Sequence, residues 1–429
     1  MSNPNTGDTV KITTSSETIK GKIMFSTDKN IIIKLDSGYN IGIKKQKIKS
    51  IIIEKGYQPK KQKTKKIPIK KDLPTISILH TGGTIASKID YETGAVIAKF
   101  TPEELIGMVP ELKDIANIKC KFVANIQSES MRFPHYNLIA KAIEKEIKET
   151  KPKGIIITHG TDTLHYTSAA LSFILENLSI PIILVGAQRS SDRGSSDSHM
   201  NLICATKFIK ETDFHGVAIC MHNSMNDDKC AILPGTKTRK MHTSRRDAFK
   251  PINSEKIALI NYDSDKIEMF EKTKPKPKEN LKLKLIKEDI KVGILKSHTN
   301  IYPENIKHFK NYDGLIIEGT GLGHFQTKSF DKISEIEEKN KKELEKLLKD
   351  TIILLSSQCI FGRVNLNVYT PQRELKEIGV MGTEDMTTET AFIKLAWLLS
   401  NYKKEEIRKL VTQNLRGEII KCSNTNSLK

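Results

Sequence analysis

Cysteine is scarce and unpatterned in this chain. The six thiols, Cys120, Cys204, Cys220, Cys230, Cys359 and Cys422, form no CxxC pair and have no histidine cluster nearby at zinc-finger spacing. No metal site is therefore expected, and buried reduced thiols are the default. No run of about 18 consecutive apolar residues is present, which excludes a spanning helix and any membrane partner. The opening MSNPNTGDTV has neither the basic start nor the apolar stretch of a secretory signal, so the expected compartment is the cytoplasm. A GxxxxGK[ST] loop is also missing, which argues against an ATP site of that type. Solenoid repeats are absent too.

What is present in excess is positive charge. The chain carries +19 overall, and residues 1–73 alone hold seventeen lysines against six acids, or +11. Clustering of that kind is the footprint of a phosphate-bearing partner such as RNA. General lysine enrichment for solubility explains it equally well.

With 429 residues, more than one domain is expected. Residues 1–56 alternate short β-branched runs with turn residues at Thr27-Asp28-Lys29-Asn30 and Asp36-Ser37-Gly38, the pattern of a small all-β, SH3-like barrel. Lysines and scattered prolines fill 57–73, too poor in apolar side chains to pack, and this segment reads as a basic linker. From 74 to 270, apolar strands (TISILH, GIIIT, PIILVG, GVAICMHN) alternate with helical segments (LHYTSAALSFILENL, NLICATKFIKET). A second alternating block occupies 290–429, beginning at KVGILKSH and including GLIIEG, TIILLSSQC and TTETAFIKLAWLLSN. Residues 271–289 have linker composition between them. The expected fold class is α/β, with two parallel-sheet domains behind the barrel.

In parallel sheets ligands gather beyond the carboxyl ends of the strands. After TISILH stands Thr81-Gly82-Gly83-Thr84, where glycines let backbone approach a ligand and expose amides able to hold an oxyanion. After GIIIT stands His159-Gly160-Thr161-Asp162-Thr163. Each has a plain alternative: the first fits a tight turn, and Asp162 fits a helix cap. Two hydroxyl-rich glycine turns at the ends of successive strands point more strongly to nucleophilic catalysis than either does alone. A hydroxyl nucleophile needs a proton acceptor, a role open to lysine. The stretch Thr238-Arg239-Lys240-Met241-His242-Thr243 brings one into the same region.

These blocks together resemble the bacterial-type L-asparaginase family. Thr81 to Ser87 reads TGGTIAS, His159 to Thr163 reads HGTDT, and Lys240 lies in a K-x-x-T segment. Supporting segments are Gly186-Ala187-Gln188-Arg189, Asn226-Asp227, Arg246-Asp247-Ala248-Phe249, Gln358-Cys359 and Asp385-Met386-Thr387, so that the likeness covers roughly residues 75–400. It implies that Thr81 attacks a side-chain amide and that Thr161, Asp162 and Lys240 form a companion triad with Lys240 as base. Backbone amides near Gly82 and Gly160 would hold the oxyanion. Tyr91 resembles the tyrosine of a mobile lid. Ser128 and Glu129, in Gln127-Ser128-Glu129-Ser130-Met131, would receive the substrate's α-carboxylate and α-ammonium, although Ser130 replaces the family's usual aspartate.

The 75 residues before TGGT, with Gly319-Thr320-Gly321-Leu322-Gly323-His324 in the second block, look like a narrower family, the D subunits of archaeal glutamyl-tRNA(Gln) amidotransferases. That resemblance implies ammonia supply from Gln or Asn to an E subunit that binds tRNA(Gln) and uses ATP and Mg²⁺. The assembly would be a heterodimer or a dimer of heterodimers. The alternatives are a stand-alone L-asparaginase with an accessory barrel and a catalytically silent RNA-binding scaffold.

Overall fold

A computed structural model of the chain describes residues 4–37, 39–57, 69–83, 88–89, 96–97, 108–189, 194–272 and 275–422. These divide into two compact units, one built on the N-terminal strands with the hairpin Lys88–Ile89/Val96–Ile97, the other running from Ile69 and holding both α/β sheets. Among the described residues no helix is long and apolar enough to cross a membrane.

The first unit is an antiparallel five-stranded sheet. Strands Thr9–Thr14, Thr18–Ser26, Asn30–Lys34 and Asn40–Lys44 form a meander, and Ile48–Lys55 returns to pair with the first. Period-two burial sends Val10, Ile12, Ile23, Ile31, Ile33 and Ile43 into one small core. The Thr27–Asn30 turn closes where expected, with Thr27 N donating to Asn30 O at 2.8 Å and Asn30 N to Thr27 Oγ1 at 3.0 Å.

The larger α/β sheet has eight strands. Five are parallel, in the spatial order Asn117–Phe122, Thr75–His80, Gly154–Thr158, Pro181–Val185, Gly216–His222. The other three, Lys229–Pro234, Ala258–Asn261 and Ile267–Met269, continue the sheet antiparallel, so the expectation of a purely parallel sheet is corrected here. The reason is connection length: six residues separate His222 from Lys229, room for a turn but not for a crossover helix. The smaller sheet is parallel throughout, with strands Val292–Lys296, Gly314–Gly319, Ile352–Ser357 and Met381–Gly382.

Both sheets share one core. Helix Leu164–Ile174, which follows the HGTDT turn, packs on helix Thr388–Asn401 of the smaller sheet, with the rings of Phe173 and Trp397 5.4 Å apart. Two lysines are buried in this interior, which is affordable only with charged partners. Lys237 Nζ donates to Asp385 Oδ2 at 2.6 Å and to Glu418 O at 3.2 Å, and Lys394 Nζ meets Glu418 Oε1 at 2.6 Å. Burial pulls both ammonium groups below their usual range while the carboxylates oppose it.

Candidate active site

The two glycine turns lie at the carboxyl ends of adjacent parallel strands, Thr75–His80 and Gly154–Thr158. Thr81, 1% exposed, donates its hydroxyl to Thr158 O at 2.8 Å, while its main-chain carbonyl accepts Ile126 N at 3.0 Å. Gly82 (φ +114°) and Gly83 (φ +84°) then turn the chain through a region L side chains rarely enter. Close approach also demands glycine here, since a Cβ on Gly83 would stand 2.5 Å from Gly160 N, and one on Gly160 2.8 Å from the Ser128 side chain. The turn bearing Thr81, the turn bearing Thr161 and the segment bearing Ser128 therefore touch through bare backbone.

His159 locks the second turn. Its Nδ1 lies 2.7 Å from Gly160 O, which only accepts, so the proton sits on Nδ1 and Nε2 accepts from Thr167 Oγ1 at 2.9 Å. Burial lowers this imidazole to about 4, keeping it neutral and the tautomer fixed. Thr163 Oγ1 reaches across to Ser128 O at 2.5 Å, holding the one-turn 3₁₀ segment Ser128–Ser130 against the turn.

Lys240 arrives on a separate ribbon, strands Thr238–Lys240 and Phe249–Pro251. Its Nζ donates to Thr161 Oγ1 at 2.9 Å and to Asp162 Oδ1 at 2.8 Å. The lysine is largely buried, whereas the Asp162 side chain is 65% exposed, leaving a carboxylate edge open to a ligand's cation. The helix-cap alternative for Asp162 does not hold, since the N-cap of helix Leu164–Ile174 is Thr163 and no side chain caps it, while Asp162 pairs with Lys240. Ser128 is buried under Gly160, while Glu129 and Ser130 are exposed. Tyr91, Thr84 and the rest of the TGGTIAS segment to Ser87 lie outside the described residues.

The supporting segments serve as framework. Asp197 accepts the main-chain N–H groups of Gln188 and Arg189, both at 3.0 Å, fixing the exit of strand Pro181–Val185. Asp227 pairs with Arg246, and Asp247 with Arg245 at 2.8 Å. The Gln358 amide donates to Ser297 O and Glu318 O, tying strand ends of the smaller sheet. Thr320 and His324 close the Gly319–His324 turn on each other. Sequence reasoning gives no role to Thr163, His159 or Lys237; their contacts cross 35 to 181 positions or depend on a tautomer, and no local pattern encodes them.

A buried threonine beside a Thr–Asp–Lys triad on paired glycine turns, set on this α/β framework, defines the asparaginase/glutaminase class. Residues 75–275 match the family "Asparaginase, N-terminal" and residues 291–411 the "Glutaminase/Asparaginase C-terminal domain". The L-asparaginase of Thermococcus kodakarensis superposes with a TM-score of 0.72 at 28% identity, covering 81% of this chain and 100% of that one. L-asparaginase I of Vibrio cholerae gives 0.68 at 26% identity, covering 81% and 99%. Residues 5–53 match a different description, "GatD N-terminal domain". The D subunit of the glutamyl-tRNA(Gln) amidotransferase of Methanococcus maripaludis is 44% identical over 421 residues, 96% of this chain and 97% of its own length. Its counterpart in Archaeoglobus fulgidus is 40% identical, covering 98% and 96%, and the one in Pyrococcus furiosus 45%, covering 92% and 89%. The chain belongs to the family of glutamyl-tRNA(Gln) amidotransferase D subunits.

Proposed function

We propose that this chain generates the ammonia for a tRNA-dependent amidotransferase, hydrolysing a glutamine or asparagine side-chain amide through Thr81. Thr81 Oγ forms a bond to the amide carbon; the C–N bond then breaks, and ammonia leaves carrying the nucleophile's former proton. Water afterwards attacks the acyl ester, returning Thr81 and releasing the free acid. Lys240 acts as base towards Thr161, and Asp162 orients the pair while its exposed edge meets the substrate's α-ammonium. Ser128 and Glu129 bind the amino-acid head group. Main-chain N–H groups at Gly82 and Gly160 hold the oxyanion, each worth about 3 kcal/mol by analogy with other hydrolases.

The observation that carries this reading is Lys240 Nζ within hydrogen-bond reach of both Thr161 and Asp162, on a turn packed against that of Thr81. Thr81→Ala and Lys240→Ala should each abolish ammonia release from glutamine and asparagine while leaving assembly with the partner intact. Wild-type turnover in either variant would remove the mechanism.

Full-length similarity to D subunits, including the N-terminal domain, favours this assignment over a stand-alone asparaginase. On this reading the all-β unit is an SH3-like barrel, and the chain works in the cytoplasm in a heterodimer or a dimer of heterodimers with an E subunit. That partner binds tRNA(Gln), activates the mischarged glutamate with ATP and Mg²⁺ and receives the ammonia. An uncoupled amidase would waste its donor, so the partner gates it. Glutamine hydrolysis by the chain should therefore rise at least tenfold when partner and mischarged tRNA are added. A lone homo-oligomer with full, unstimulated asparaginase activity would point instead to the independent enzyme.

A further inference from the structure

Lys240 reaches Thr161 from a strand whose other face is gripped by the smaller α/β sheet. Within the strand, Arg239 and Lys240 are neighbours and point to opposite faces, and Lys237 stands in the bend just before it. Arg239 and Lys237 meet two carboxylates beside the start of helix Thr388–Asn401. Lys237 Nζ sits 2.6 Å from Asp385 Oδ2, and Arg239 Nη2 sits 3.3 Å from Glu389 Oε1. A third tie runs through the main chain, with Thr390 Oγ1 donating to Thr236 O at 2.7 Å.

Asp385 stands in the turn before the N-cap Thr387 and Glu389 in the first helical turn, so the two segments engage each other at two separate points. The helix start is itself fixed, because Thr388 Oγ1 donates to Glu318 Oε1 at 3.0 Å and lies 3.0 Å from Ser356 Oγ, both at strand ends of the smaller sheet. Glu389 also faces the triad's other side: its Oε1 is 4.0 Å from Nε2 of His165, three residues past Asp162. That imidazole is kept neutral by burial, its value lowered to about 3, leaving Arg239 as the carboxylate's ionic partner.

We infer that Asp385 and Glu389 are positioning residues for the amidase: from the second α/β sheet they set the register and rotation of the Lys237–Lys240 segment, so that Lys240 Nζ falls on Thr161 and Asp162. Neither touches substrate. The inference rests on the reading of Lys240 as base.

The test measures kcat and KM for glutamine hydrolysis in the full chain with its partner, using Glu389→Gln, Arg239→Met and the double variant. A positioning role predicts that each single variant loses kcat about ten- to fiftyfold while KM stays within twofold. It also predicts that the double variant is no worse than the worse single, since both break one contact. Losses that multiply in the double variant, or an unchanged kcat in Arg239→Met, would overturn it. Arg239 is partly exposed and its replacement should fold, so it decides the matter even where Glu389→Gln proves unstable. Lys240→Ala is run alongside. Full activity there sinks the base assignment and this inference together, whereas an inactive Lys240→Ala beside a fully active Arg239→Met sinks only the positioning role.

Discussion

Three imidazoles near the two glycine turns are held neutral. Burial lowers His80 and His159 to about 4 and His165 to about 3, against 6.5 for a free imidazole. The folded values are depressed, so below pH 6.5 the unfolded chain binds more protons than the folded one. Stability present above pH 6.5 is lost as the pH falls toward 4, by on the order of 3 kcal/mol per histidine at the end of the window. Denaturant titrations at pH 7.5, 6.0 and 5.0 should show that decline, and His159→Gln should flatten it by one proton; a midpoint constant across this range contradicts the assignment. At the same scale, Gly83→Ala combines a positive φ with a Cβ driven onto Gly160 N. Strain of about 1–3 kcal/mol and separated turns should lower kcat about a hundredfold, with Thr81 chemically untouched. Ammonia release and melting temperature, measured together, separate the two effects.

Among the elements, helix Thr388–Asn401 bears the most responsibility, and its start depends on Thr387, whose hydroxyl accepts Thr390 N at 3.3 Å. Thr387→Ala should cost about 1 kcal/mol, read as a shift in the denaturation midpoint. How far elements could be foreseen varied with how local their cause is. TISILH, GIIIT and GLIIEG correspond to strands Thr75–His80, Gly154–Thr158 and Gly314–Gly319, because fully buried parallel strands are continuous apolar runs. TTETAFIKLAWLLSN matched helix Thr388–Asn401 to within one residue, since threonine caps and apolar periodicity agree there. The antiparallel extension after His222 and the ribbon carrying Lys240 were not legible, being set by turn length and by pairing partners up to 32 positions away. Likewise the TGGT and HGTDT turns stood out through their glycines and hydroxyls, but not the contacts that press them together. Asp385 was noticed as part of a motif; only the fold reveals that it neutralises Lys237.

At the level of the whole molecule, the charges in the shared core tie distant parts of the chain together. Lys237 bonds Asp385, 148 residues on, and Glu418, 181 residues on, while Glu418 also neutralises Lys394. Removing one member of a buried ion pair costs about 3–5 kcal/mol. A chain ending after Gln413 loses Glu418, and it should melt well below the intact protein or fail to accumulate in soluble form; an unchanged melting temperature would show that the tail is dispensable. The same arrangement has a consequence for synthesis. A ribosome makes Thr81, Thr161 and Lys240 early, yet the lysine three positions before Lys240 acquires its full set of partners only once residue 418 has emerged. The setting of Lys237 is therefore complete only once residue 418 has been made, and a chain terminated before it should release less ammonia from glutamine than the intact protein.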